Sequence, residues 1–354
     1  MKINVLEVNI NKFQKNINTI KELNPNKEIM PIIKANAYGT YINKNKEILD
    51  QFNIVGVARI EEGVELRKLG YDKEIFVLNQ PLIEQLNEIN KYNLTIGISE
   101  ISFIKKINIP IKAHLEIETG MNRTGIMHDD LDKYIEIIRN NKNIQVEGIY
   151  THFAVADTNQ EYTNKQIILF KKVVEKVQKA FDIKYIHSSA SNGLLMYDDT
   201  ISNLIRPGII IYGYYPSEIA EKYIKIEPIT KLKTKVVYIK ELDENNSISY
   251  GLTYKTKKKT KVATIAIGYG DGLRRVLSNV GEVIINNKKC KIIGTICMDS
   301  CMIDITNVDV KVGDDVYIWD NNIIKLEEIA EKCDTINYEI LTTISDRVER
   351  KYIN

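Results

Sequence analysis

Apolar residues along the first two thirds of the chain switch repeatedly between two spacings. Phe13, Ile17, Ile20 and Leu23 recur at a helical period and Ile29 to Ile33 is a compact apolar run, so the pattern predicts helix followed by strand. The same beat returns at IVGVA near residue 54, IFVL at 75–78, LTIGI at 94–98, AHLEIE at 113–118, VEGIY at 146–150, YIHSS at 185–189 and IIIYG at 209–213. Together with 29–33 these make eight candidate strands. Between the last of them, Phe170, Val173, Val174, Val177 and Phe181 mark one apolar face of a helix over 168–181. Such alternation implies parallel strands joined by right-handed crossovers. Eight units in about 215 residues predict an α/β fold, an N-terminal (β/α)8 TIM-like barrel. An open doubly wound sheet would open on a Gly-rich turn, and no GxGxxG is present.

After Pro216 the character changes. Strand-like segments at 229–239, 261–267, 281–286, 290–297 and 315–319 are separated by turn signals such as Asp243-Glu-Asn-Asn and Gly313-Asp-Asp. A second, mainly β domain is expected over 226–354, following a barrel over 1–225 whose residues 1–9 are candidates to pair with the second domain.

Composition narrows the function. A chain of 354 residues with 44% hydrophobic and 27% charged positions has the make-up of a folded globular protein. Lys+Arg 49 against Asp+Glu 47 leaves a net charge of +2, which gives no electrostatic reason to expect nucleic acid or an anionic membrane as partner. No run approaches the roughly 18 apolar residues of a membrane span, so a cytoplasmic protein is expected. Cys290, Cys297, Cys301 and Cys333 lack both a CxxC pair and a neighbouring histidine, so they read as free thiols and no metal site is expected.

In a parallel barrel, chemistry gathers at the C-terminal strand ends. Lys34 follows the first strand in KANAYG, where burial would lower its pKa and leave an amine able to attack a carbonyl; a solvated strand-end lysine fits the same position. Arg123, in ETGMNRTG after the fifth strand, suits a bidentate contact with a carboxylate or a structural ion pair. His152, in THF after the sixth, could stack on a flat ligand, shuttle a proton or fill the core. His187-Ser-Ser-Ala-Ser191-Asn-Gly193 after the seventh strand, and Arg206-Pro207-Gly208 before the expected eighth, place a hydroxyl and backbone amides where barrels bind phosphate. In the second domain, Ser249-Tyr250-Gly251, Gly268-Tyr269-Gly-Asp271-Gly272 and Cys297-Met298-Asp299 are polar points at strand margins. Their conjunction suggests a phosphorylated aldehyde cofactor held by a lysine.

The sequence resembles the alanine racemase family over nearly its whole length. KANAYG, ETGMNRTG, THFAVAD, RPG, SYG, GYGDG, ICMDSCM and INYEI occur in the family's order and at similar spacing. The resemblance implies a pyridoxal 5'-phosphate enzyme that interconverts L- and D-alanine and supplies D-alanine for peptidoglycan. It makes Lys34 the aldimine lysine and one base, with Tyr250 the base on the opposite face of the substrate. Two bases have physical logic, because racemisation removes a proton from one side of a planar carbanion and returns one to the other. Carried over residue by residue, Arg206 faces the pyridine nitrogen, His152 borders the ring and His187 orients Arg206. Tyr38, Ser191, the amides of Gly208 and Ile209, and Tyr338 hold the phosphate. Arg123 and the Met298 amide bind the substrate carboxylate, while Tyr269, Arg275 and Asp299 line the way in. The family's C-terminal domain reaches the partner's barrel, so the resemblance also implies a homodimer with shared active sites.

Three departures stand out. Glu116 occupies the place of a lysine that the family often carbamylates to steady the substrate-binding arginine, and its carboxylate is expected to supply that negative charge. Thr295 replaces a common arginine before ICMD, and KANAYG continues as Thr40-Tyr41 where His-Gly is usual. A serine-preferring or broad-specificity amino-acid racemase is the rival reading on this scaffold, and Tyr338, which leaves little room beyond a methyl group, argues against it. Leakage to serine is still expected, since a methylene or two is worth about 1–3 kcal/mol of discrimination. A decarboxylase would pair the ring nitrogen with an acidic residue where Arg206 stands, and a non-catalytic cofactor carrier would resemble the barrel alone.

Overall fold

The computed structural model describes residues 2–197 and 200–354. The chain divides into two units, one made of residues 15–37 and 41–227, the other of 1–14, 38–40 and 228–354.

The first unit is a closed parallel barrel. Its strands, in order, are Glu28–Ile29, Ile54–Val57, Glu74–Val77, Thr95–Ile98, Ile111–Glu118, Ile144–Tyr150, Tyr185–His187 and Leu204–Ile205. Residues 28–29 pair in parallel with 204–205, and single bridges Ile32–Gly56 and Ala190–Arg206 complete the ring. Strands covered on both faces read as continuous apolar runs, as in the fully buried Ile54–Val57 and Thr95–Ile98. The helix over Gln160–Gln178 starts where the Asn159 side chain accepts the Tyr162 amide, and it buries Phe170, Val173, Val174 and Val177.

One strand differs from expectation. The eighth is Leu204–Ile205, and the apolar run expected to form it, 209–213, opens instead as a buried 3-10 helix over Ile209–Tyr212. Short apolar runs cannot distinguish a buried strand from a buried helical turn by period alone. Here Pro207, which has no N–H to give a sheet, and Gly208, at φ −107° and ψ −105°, turn the chain. Arg206 therefore follows the eighth strand instead of preceding it.

The second unit is built on an eight-stranded sheet in the order Thr260–Ile265, Cys301–Asp304, Lys288–Ile293, Glu282–Ile285, Asp315–Trp319, Thr230–Leu242, Val5–Asn9 and Glu349–Ile353. The long strand Thr230–Leu242 also pairs with Thr260–Ile265, joining the sheet back on itself. Val5–Asn9 is antiparallel to 230–233 and parallel to 349–353. Residues 2–9 thus reach the sheet of this unit, and Met1 lies outside the described residues. The expected strand over 290–297 ends at Ile293, and Cys301–Asp304 is a further strand that turn residues 294–300 separate from it.

Candidate active site

In the barrel unit the site is assembled from strand ends. Lys34 begins a turn in which Ala35, Asn36, Ala37 and Tyr38 all have φ between 51° and 55°, a left-handed run that L residues avoid. Such a turn persists only where surrounding contacts over-determine it. One carboxylate oxygen of Glu62 accepts the Ala35 amide at 2.6 Å and the other accepts the Ala58 amide at 2.7 Å, tying the lysine turn to the next strand end. Glu62 was missed in the sequence, although Arg59-Ile-Glu-Glu62 has the spacing of a helix-start box. Burial lowers the Lys34 pKa, and the charges of Arg123 and Arg206 add to the effect against the opposing pull of Glu62. Depression of this kind is what a nucleophilic or proton-accepting amine needs.

Arg206 is 2% exposed and its terminal nitrogens are held on all sides. Nη1 donates to the His187 carbonyl and to His187 Nδ1, both at 2.9 Å. Nη2 donates to the carbonyls of Thr151 at 2.8 Å and Ser188 at 2.9 Å, and to His152 Nδ1 at 3.2 Å. Sequence reasoning placed Arg206, His187 and His152 in one site, and the fold brings all three together. Burial first, then Arg206, Arg123 and Lys34, lowers the His152 imidazole to about 3, so it is a neutral ring at ordinary pH. Across the end of the barrel, the Gly208 amide donates to Ser191 Oγ at 3.0 Å, which leaves the serine O–H proton able to donate elsewhere. Ile209 opens the following 3-10 helix, where no preceding turn can accept its amide.

Arg123 is exposed, and the loop before it closes on Glu118, whose carboxylate accepts the amides of Gly120 and Asn122. Glu116, two residues earlier in the strand, is buried and accepts a 2.8 Å hydrogen bond from Thr124 Oγ1. Burial raises its pKa, opposed by hydrogen bonds from Thr124 and Tyr150 and by the charges of Arg123 and Arg206. Among the described residues Glu116 makes no ion pair with Arg123, so any influence on it is electrostatic or passes through Thr124. Lys34, Arg206, neutral His152, Ser191 and the amides of 208–209 form a donor set suited to a flat, phosphorylated, carbonyl-bearing molecule: one amine, one fixed cation, one ring and a set of phosphate donors.

The second unit collects the other expected residues. Tyr250 is 73% exposed on a short turn whose Ser249, Gly251 and Leu252 all have positive φ. Thr295, buried beneath, donates to the Tyr250 carbonyl at 2.8 Å, and Ser249 Oγ donates to the Thr295 carbonyl at 2.5 Å. Thr295, where an arginine is common, is in the fold a strut for the Tyr250 turn. Tyr269 and Met298 lie on adjoining loops, because the amides of Tyr269 and Gly270 donate to the carbonyls of Cys297 and Met298 at 3.0 and 2.9 Å. Asp299 accepts from Arg347, another residue without a sequence signal. Arg275 is exposed on the 3-10 helix Arg275–Leu277. Tyr38 and Tyr338 face each other with ring centroids 5.9 Å apart, and burial raises the Tyr38 phenol. Among the described residues no group of three or more His, Cys, Asp or Glu could hold a metal ion, and no helix is long and apolar enough to cross a membrane.

Comparison with known proteins gives the same picture. Residues 8–216 match the family model for the alanine racemase N-terminal domain, and 229–352 match that for the alanine racemase C-terminal domain. An alanine racemase of Halothermothrix orenii is 39% identical over 364 residues, covering 98% of this chain and 96% of its own. The crystal structure of alanine racemase from Bacillus anthracis with bound L-Ala-P is 31% identical with a TM-score of 0.93, covering 100% of this chain and 96% of its own. Alanine racemase from Bartonella henselae with covalently bound pyridoxal phosphate is 27% identical with a TM-score of 0.89, each chain being covered in full (100%).

Proposed function

The chain belongs to the alanine racemase family; on that premise, we propose that Lys34 and Tyr250 are the two bases of its alanine racemisation, with pyridoxal 5'-phosphate as cofactor. The observation that carries this reading is the placement of Lys34, on the left-handed turn held by Glu62, at a barrel end shared with the bonded pair Arg206 and His152.

When bound, the cofactor supplies an electron sink for the bond pair left at the substrate's α-carbon. The chain supplies the rest. Lys34 Nζ, made less basic by burial and by two arginines, can take the α-proton from one face, and the Tyr250 phenol can return one to the other. Arg206 offers N–H donors and no acceptor, so it can hydrogen-bond a ring nitrogen without yielding a proton to it. Holding that nitrogen neutral restrains delocalisation and disfavours transamination. His152 borders the ring as an uncharged surface. Ser191 and the amides of Gly208 and Ile209 hold the phosphate. Arg123 and the Met298 amide hold the carboxylate, with the Glu116 carboxylate as the nearby negative charge and Tyr269, Arg275 and Asp299 along the way in.

We place Tyr250 and Met298 at the partner's barrel in a homodimer. A phenol 73% exposed on its own subunit is a poor base until a second surface excludes water from it, and a partner barrel provides that surface. In the cytoplasm the product would serve as D-alanine for peptidoglycan.

The test is α-proton exchange in deuterated water with chiral product analysis, on L-alanine and L-serine, for wild type, Lys34→Ala and Tyr250→Phe supplied with pyridoxal phosphate. Fast D-alanine formation, slow D-serine, loss with Lys34→Ala, and exchange without inversion with Tyr250→Phe are expected. Comparable rates on both amino acids would make the protein a broad-specificity racemase, and inversion undiminished in Tyr250→Phe would remove Tyr250 from the mechanism.

A further inference from the structure

Beneath Arg206 the barrel interior holds a layer of rings of which only His187 has so far been given a role toward Arg206. His187 lies flat against Tyr150, centroids 5.0 Å apart and planes within 5°, and its Nε2 is 2.9 Å from Nδ1 of His114. His114, on the fifth strand, is completely buried and stacks on Phe76 at 4.4 Å. Room for its ring is reserved by Gly148 on the neighbouring strand, where a Cβ would stand 2.6 Å from the imidazole.

The direction of each hydrogen bond in this chain is forced. A guanidinium only donates, so His187 Nδ1, 2.9 Å from Arg206 Nη1, must present its lone pair. A neutral His187 then carries its proton on Nε2 and donates it to His114 Nδ1. His114 in turn carries its proton on Nε2, which is one of the buried side-chain atoms among the described residues that have no hydrogen-bond partner. Retaining a buried donor without an acceptor is unfavourable. A phenylalanine would fill the same space without that penalty, yet would leave the Nε2 proton of His187 unanswered.

We propose that His114 is a positioning residue: by accepting the Nε2 proton of His187 it holds that ring where its Nδ1 lone pair meets Arg206, and so sets the orientation of the guanidinium. Were His114 to carry a proton on Nδ1, two N–H groups would face each other across 2.9 Å. Burial, with the charges of Lys184 and Arg206, keeps that proton off. The effect on turnover rests on the reading of Arg206 given above; the contact between His187 and His114 does not, because it lies within the protein itself.

The chain contains only four histidines, so long-range proton–nitrogen spectra of the 15N-histidine-labelled protein are readily assigned. In wild type, His187 and His114 are both expected as neutral rings protonated at Nε2. An imidazolium, or an Nδ1–H tautomer, at either position would overturn the proposal without any variant. His114→Phe, which removes the acceptor and keeps the volume, is expected to leave His187 protonated at Nε2 but to shift its ring-nitrogen signals as that proton loses its hydrogen bond, and to lower kcat about tenfold with little change in KM. His114→Asn, whose amide oxygen can stand near the Nδ1 position, is expected to restore the His187 signature and most of kcat. Unchanged His187 ring-nitrogen shifts in His114→Phe, or a His114→Asn protein as impaired as His114→Phe, would show that the ring serves packing alone. If the His187 shifts behave as expected while turnover is indifferent to both variants, the positioning holds and the role given to Arg206 is what fails.

Discussion

The hydroxyl of Thr295 donates a 2.8 Å hydrogen bond to the carbonyl oxygen of Tyr250. Nearby, Thr253 Oγ1 stands 3.3 Å from the same hydroxyl, so the turn that displays the phenol is braced from below. Thr295→Val keeps the shape and removes the donor. With a neutral hydrogen bond worth about 1 kcal/mol, kcat should fall about fivefold, with KM for alanine nearly constant. Steady-state kinetics in both directions check this, and an unchanged kcat would mean that the turn holds itself.

Arg347 donates to Asp299 at 2.7 Å, and its Nε lies 3.4 Å from a carboxylate oxygen of buried Asp271. That carboxylate's other oxygen accepts the Gly268 amide at 3.0 Å, so one guanidinium ties together the loops bearing Tyr269 and Met298. The pair with Asp299 is exposed and adds little to stability, and buried Asp271 keeps its bond from the Gly268 amide without Arg347. Arg347→Gln should therefore leave thermal unfolding nearly unchanged while raising KM for alanine about threefold, since small misplacements of binding groups are costly. A fall in melting temperature with KM constant would assign Arg347 to the scaffold.

Glu116→Gln tests whether a carboxylate near Arg123 stands in for a modified lysine. The amide oxygen can still accept from Thr124, while the negative charge is removed. KM for alanine is expected to rise about fivefold, with kcat less affected. Equal affinity and turnover in the variant would remove Glu116 from substrate binding.

Gly148→Ala inserts a methyl group 2.6 Å from the His114 ring. Overpacking a filled core usually costs about 1–3 kcal/mol, so the melting temperature should fall by several degrees. Differential scanning calorimetry reads it directly. A neutral outcome would imply that the ring layer can shift, which would also weaken the rigidity required of the Arg206 chain.

Three imidazoles give stability a defined pH dependence. His114 and His152 are lowered to about 3 and His187 well below its ordinary value, whereas all three take up protons near 6.5 once unfolded. The unfolded state then binds more protons below pH 6.5, so stability falls as pH drops from about 6.5 toward 3. Each imidazole contributes up to about 1.4 kcal/mol per pH unit in that window and nothing above it. Glu116 and Glu74, raised by burial, pull in the opposite direction. Urea titrations of wild type and His114→Asn between pH 6.5 and 4 should differ in slope by one proton. Parallel slopes would mean that His114 is protonated in the folded protein.

Much of this protein is written in its residue order. Seven of the eight barrel strands lie at apolar runs recognisable by period, and the helix over 160–178 follows its stripe, because burial on both faces of a parallel strand or on one face of a helix is a local pattern. The motifs around Lys34, Arg123, His152 and Arg206 were equally legible, since strand ends of a barrel are where polar residues after apolar runs converge. Tertiary structure alone decided the rest. The run at 209–213 is a helical turn because Pro207 and Gly208 bend the chain just before it, a choice its own hydrophobicity cannot express. Residues 1–9 are candidates in the sequence to pair with the second domain, but that Val5–Asn9 lies between Thr230–Leu242 and Glu349–Ile353, antiparallel to one and parallel to the other, is recorded by no local pattern. Glu62, His114, Thr295 and Arg347 act through hydrogen bonds to groups distant in sequence, so their significance comes into being only when the strands that carry them are brought side by side.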